Sequence, residues 1–122
     1  MHPGVRAAAD RDAAVRRLRA VEPYAVDDST AVDMAEGCAV LDVMEGDEIV
    51  GAVAIDIVGD TATITGAASE GVSTYEQLRL IEAALKRMGV RRVRAFTRRA
   101  GLVRTLTREG YGLCSAELIK EL

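Results

Sequence analysis

Tryptophan is absent from this chain of 122 residues, and Tyr24, Tyr75, Phe96 and Tyr111 are its only aromatic side chains. So few rings argue against a stacking platform for single-stranded nucleic acid. A single histidine, His2, excludes any metal site that needs two. No apolar run approaches the roughly 18 residues that a membrane-spanning helix requires. Arg6, Asp10, Arg11 and Asp12 precede any apolar stretch, which predicts no secretory leader and a cytoplasmic location. The two cysteines, Cys38 and Cys114, would serve as a disulfide or a nucleophile only in other surroundings. With no export signal and no histidine near them, they are expected to be small reduced hydrophobes.

What remains is an ordinary globular composition, 49% hydrophobic and 29% charged. The length predicts one domain over residues 1–122, able to bury roughly 65% of its unfolded surface. The net charge of −3 conceals a segregation. Residues 20–78 hold thirteen carboxylates and no Lys or Arg, whereas residues 79–108 hold ten basic residues and one acid, Glu82. The basic block reads either as a site for a phosphate-bearing ligand or as solvated surface. The acidic block reads as solvated surface. A net-acidic chain with few rings ranks nucleic-acid binding last.

Asp10 is placed to cap a helix over residues 11–21, in which Ala14, Val15, Leu18 and Val21 form one apolar stripe. Pro23 then follows the helix. Asp28 or Ser29 would cap a short helix over 30–36, stopped by Gly37. Three strands are expected over 38–44, 48–58 and 61–67, joined by Gly46-Asp47 and Gly59-Asp60, an antiparallel meander. Both faces of the middle strand are apolar, so it is expected to be buried on both sides. Ser73 and Glu76 have capping-box spacing, and Leu78, Ile81, Ala84, Leu85 and Met88 stripe a helix over 74–88 that Gly89 ends. A strand over 90–96, a helix over 101–109 and a strand over 111–119 complete the order β-α-α-β-β-β-α-β-α-β.

That order and four short motifs together resemble the GCN5-related N-acetyltransferase superfamily over nearly the whole chain. Val5-Arg-Ala-Ala with Asp10 is similar to the family's opening pattern. Asp47-Glu-Ile-Val-Gly51 resembles its hairpin signature. The helix ending at Gly89, followed by Val90-Arg-Arg-Val93, resembles its long helix and next strand. Arg108-Glu-Gly-Tyr111 resembles the pattern that opens its last strand. The resemblance implies an α/β (α+β) fold with a mixed central sheet and helices on both faces.

It also implies where acetyl-coenzyme A would lie: between the strands over 61–67 and 90–96, with its diphosphate at the start of the following helix. The residues carried over for the cofactor are Thr65, Gly66, Gly71, Ser73 and Thr74, with Arg98 and Arg99 beyond the fifth strand. The family's Arg/Gln-x-x-Gly-x-Gly/Ala loop is replaced by Ser69-Glu-Gly-Val-Ser-Thr74, which has no cation and places Glu70 near the diphosphate. Arg79, one turn into the helix, or Arg98 and Arg99 would supply compensating charge. For catalysis the candidates are Asp56 as general base and Thr105 as general acid. Leu106 stands where the family often has a tyrosine, and Tyr111 fits its structural aromatic.

Two readings follow. In the first, the protein transfers an acyl group from acyl-coenzyme A to an amine of unknown identity, and a main-chain amide of the strand over 61–67 meets the oxyanion. In the second, it keeps the fold with a degenerate, inactive site and acts as an accessory, phage or virion protein. It would then bind a protein partner or form a homo-oligomer.

Overall fold

The computed structural model describes residues 3–24, 30–95, 104, 106–108 and 110–111. Its elements in chain order are β1 (Pro3–Ala7), α1 (Arg11–Arg17), a 3-10 helix (Leu18–Tyr24), α2 (Ala31–Ala35), β2 (Ala39–Glu45), β3 (Glu48–Val58), β4 (Thr61–Ser69), α3 (Thr74–Arg87) and β5 (Arg92–Ala95). The five strands form one sheet in the order β1-β2-β3-β4-β5. The first three pairings are antiparallel and β4 pairs with β5 in parallel. This is the mixed sheet expected from the sequence. Gly46 and Gly59, at φ of 60° and 61°, make the tight turns of the meander.

β3 is the centre of the molecule. Its residues 51–55 are all buried, because side chains alternate between two covered faces. Ala52 and Ala54 pack with Ala14, Leu18, Ala31 and Ala35, from α1, the 3-10 helix and α2. Val53 and Ile55 pack with Ile81 and Leu85 of α3, on the other side. Small residues line the first face because three short helical segments approach it closely. Leu18, Ile55, Ile81 and Leu85 are almost fully buried, and each such side chain contributes about 1.5–3 kcal/mol.

Several boundaries differ from those expected. The first helix is α-helical only to Arg17 and continues as a tighter 3-10 helix that includes Pro23. The second helix is capped by Thr30, whose side chain accepts from the Asp33 N–H while Asp33 bonds back to the Thr30 N–H. The expected caps Asp28 and Ser29 lie outside the described residues. β4 runs on to Ser69, two residues beyond the expected end. Arg104 and residues 106–108 are helical, within the expected helix over 101–109. The last strand lies outside the described residues beyond Tyr111.

Arg11 joins the first two helices. Its guanidinium donates to the carbonyls of Ala35 at 2.7 Å and Cys38 at 3.0 Å, at and just beyond the end of α2. Asp42 is the buried carboxylate of β2, 1% exposed. It accepts from the Ala9 N–H at 3.1 Å and lies 3.5 Å from the Arg6 guanidinium, so it fixes the turn from β1 into α1. No helix among the described residues is long and apolar enough to cross a membrane.

Candidate functional site

The ladder between β4 and β5 runs from Thr61↔Arg92 to Ile64↔Ala95. β4 continues past that point for five residues, paired only with β3 among the described residues. Just past the last described pair of that ladder the register against β3 slips: Ile55 faces Ile64, but Ala54 faces Gly66. Thr65 is therefore the extra residue of a β-bulge, a device that bends a strand and ends its pairing.

Beyond the bulge the backbone polarity can be assigned. The Glu70 N–H donates to the Val50 carbonyl at 2.9 Å, so the residues alternating with it, Ala68 and Gly66, also turn their backbone groups to β3. Ala67 and Ser69 consequently turn theirs to the opposite edge, which is open among the described residues. A row of backbone donors and acceptors without a strand partner is a template for an extended polar ligand.

α2 closes the bulge from one face. The Thr65 hydroxyl lies 2.6 Å from the Met34 carbonyl and 3.1 Å from that of Ala54. Cys38 Sγ lies 3.7 Å from the same hydroxyl and is half-buried. A Cβ on Gly66 would meet Met34 Sδ at 2.8 Å, so α2 sits this close because Gly66 has no side chain.

The open edge leads directly to the start of α3. Gly71 has φ of 75°, and a Cβ built on it would meet nothing within 4 Å. Ser73 caps the helix by accepting from the Glu76 N–H at 3.1 Å. That bond leaves the first N–H groups of α3 unpaired within the helix, at the positive end of its dipole. A hollow of about 280 Å³ opens beside the end of β4, with Arg17, Ser69 and Glu70 among its lining.

Comparison with solved structures finds the same fold elsewhere. The chain is similar to a transcriptional regulator from Bacillus halodurans C-125, with a TM-score of 0.65 and 19% identity over 99% of this chain and 100% of the other. It is similar to the aminoglycoside N-acetyltransferase AAC(6')-Iy in complex with coenzyme A, with a TM-score of 0.58 and 16% identity over 99% and 95% of the two chains. It is similar to the ribosomal-protein-S18-alanine N-acetyltransferase from Escherichia coli, with a TM-score of 0.60 and 13% identity over 93% and 80%. The fold is that of the GCN5-related N-acetyltransferases. No protein-family model and no curated protein matches the chain.

Within this acetyltransferase fold the expected site residues fall into three groups. Thr65, Gly66, Gly71, Ser73 and Thr74 follow one another along the bulge, the open end of β4 and the first turn of α3. The Thr65 hydroxyl is turned to α2 and β3, so its side chain shapes the bulge. Asp56 stands apart from the loop. It is exposed and pairs with Thr63, on the side of the bulge where β4 and β5 are still joined. Thr105, Arg98 and Arg99 lie outside the described residues.

Tyr111 is tied to the opposite helix layer. Its hydroxyl donates to Glu82 Oε2 of α3 at 3.0 Å. Burial, and then the charge and hydrogen bond of Glu82, push its phenol well above the usual tyrosine value. It therefore stays protonated and serves as a structural aromatic. Met34, Ala67 and Ser69 line the candidate site and were not singled out as site residues from the sequence. Gly66 was the only signal in the sequence for the approach of Met34, and the free groups of Ala67 and Ser69 follow only from the register.

Proposed function

We propose that the protein is an acyl-coenzyme A-dependent N-acyltransferase acting on an amine. The observation that carries this reading is the Thr65 bulge in β4, beyond which Ala67 and Ser69 turn their backbone groups away from β3, on an edge that runs into the start of α3 and carries no strand among the described residues. Support comes from the structural neighbours, among them a Bacillus subtilis acetyltransferase in complex with coenzyme A, with a TM-score of 0.61. Another is AAC(6')-Iy in complex with a bisubstrate analogue, with a TM-score of 0.60.

The residues present fit the cofactor. Backbone groups of Ala67 and Ser69 would bind an extended amide-containing arm in the manner of an added strand. Open space at Gly71 admits a bulky anion, and the first amides of α3 would meet its charge. Acetyl-coenzyme A supplies an acyl group activated as a thioester, to which an uncharged amine adds with departure of the thiol. The Ala67 N–H, fixed in the strand, is the proposed donor to the carbonyl oxygen, since it needs no reorganisation to meet developing charge. Asp56, exposed two residues from Ala54, is the proposed acceptor of the amine's proton. Thr105 is the proposed donor to the departing thiolate.

Calorimetric titration with acetyl-coenzyme A tests the reading, with ATP as a control for nonspecific phosphate binding. Saturable binding to the parent, abolished by Gly71→Val in a variant that still unfolds cooperatively at a lower melting temperature, as its φ of 75° requires, is the expected result. Absence of binding at millimolar ligand would overturn it, and the fold would then serve a role without the cofactor.

A further inference from the structure

The stretch from Ser69 to Glu76 holds two carboxylates, Glu70 and Glu76, and no Lys or Arg. A loop with that charge repels the diphosphate that the proposed function requires, and backbone amides alone would have to offset the repulsion. A cation is held nearby on the helix itself. The Arg79 guanidinium lies over the Tyr75 ring, 5.9 Å from its centroid. Tyr75 is the second residue of α3 and both side chains are exposed. Arg79 begins about 7.5 Å along the axis from Thr74. Helical side chains lean toward the N-terminus, and stacking on Tyr75 returns the charge to the first turn.

The direction of this pair around the helix is also fixed. Tyr75, Arg79 and Glu82 are four and three residues apart, so they share one stripe. Glu82 receives the Tyr111 hydroxyl, from the segment that follows β5. The right-handed crossover from β4 through α3 to β5, with Leu78, Ile81 and Leu85 against the sheet, turns this stripe to the β5 flank, the side to which Ala67 and Ser69 turn their backbone groups. The remaining face of α3, through Leu78, Ile81 and Leu85, is buried against the sheet.

Resting on the acyl-coenzyme A reading, we infer that Arg79, positioned by Tyr75, is the phosphate-binding cation of this site, taking the place of the basic residue that the loop from Ser69 to Thr74 lacks. Tyr75 acts as a positioning residue: it holds the guanidinium level with the first turn. The phosphate charge is thus met from the helix flank and not from the loop.

Calorimetric titration of coenzyme A into the full chain at two salt concentrations tests the assignment. Arg79→Ala is expected to weaken binding ten-fold or more and to flatten its salt dependence. Arg79→Lys should restore most of the salt dependence, and Tyr75→Leu should give an intermediate loss. All are surface changes, and matched melting curves would confirm folded variants. Equal affinity and equal salt dependence for Arg79→Ala and the parent would overturn the role of Arg79 and leave the acyl-coenzyme A reading standing. No binding by the parent would overturn both.

Discussion

The Thr65 hydroxyl lies 2.6 Å from the Met34 carbonyl, so the bulged residue of β4 is pinned to the last turn of α2. The same side chain reaches the Ala54 carbonyl of β3 at 3.1 Å. One hydroxyl thus links three elements at the bulge. Removing it without changing the volume isolates the link. Thr65→Val is expected to cost about 1–2 kcal/mol, a few degrees of melting temperature, because it leaves the Met34 carbonyl with only the weak Cys38 thiol as a side-chain donor. A thermal melt checks this, and an unchanged midpoint would show that the bulge holds without the link.

Two glycines should respond differently to the same change. A Cβ on Gly51 would collide with the Ala68 carbonyl and the Ser69 backbone, which cannot yield without parting β3 from β4. A Cβ on Gly66 meets the end of the flexible Met34 side chain. Gly51→Ala is therefore expected to lose about 2–3 kcal/mol and Gly66→Ala less than half of that. Met34→Ala should relieve the second loss and leave the first untouched. Chemical denaturation of the three single variants and the two pairs checks the order.

How far the sequence revealed this architecture depends on which kind of interaction set each element. Glycine-aspartate turns and alternating apolar residues are local signals, and they placed β3 at its observed limits. The antiparallel meander followed from the short turns. The second helix cap was missed by one residue because Asp28, Ser29 and Thr30 are all capping residues. Only Asp33, three positions after Thr30, separates them, through its bond back to the Thr30 N–H. The 3-10 continuation through Pro23 is set by packing against β3 and β4, which no local pattern encodes. The same holds for the site. Gly71 and Ser73 were legible as loop and cap, whereas the free edge of Ala67 and Ser69 depends on a register slip between strands. The stacking of Arg79 on Tyr75 was within reach of the four-residue spacing, but its facing toward the β5 side depends on how α3 packs on the sheet.

Glu70 is the acid of the loop and is exposed. Glu70→Gln removes one charge from the neighbourhood of the proposed diphosphate. At the high effective dielectric of a surface, coenzyme A affinity should rise roughly two- to five-fold, with the gain shrinking as salt is added. Titration at low and high salt checks both parts. A loss of affinity would place the anion elsewhere.

The Tyr111–Glu82 contact predicts an alkaline limb in stability. The folded phenol is raised above its ordinary value of 10.0, so the folded state favours the protonated form. The contribution is fully present below about pH 10 and is lost as pH rises beyond it, because the unfolded chain ionises first. Tyr111→Phe should lower stability at neutral pH and give a flatter profile above pH 10. Denaturation midpoints from pH 7 to 11 for both proteins check the sign.

The central claim is that the open edge of β4 and the start of α3 hold the cofactor. Amide chemical shifts of labelled protein, followed through a titration with acetyl-coenzyme A, test it residue by residue. The account predicts saturable shifts at Ala67, Ser69, Gly71 and Tyr75, with the buried amides of Val43 and Val53 unmoved. A titration that moves no amide, or that moves only residues of β1 and β2, would contradict it.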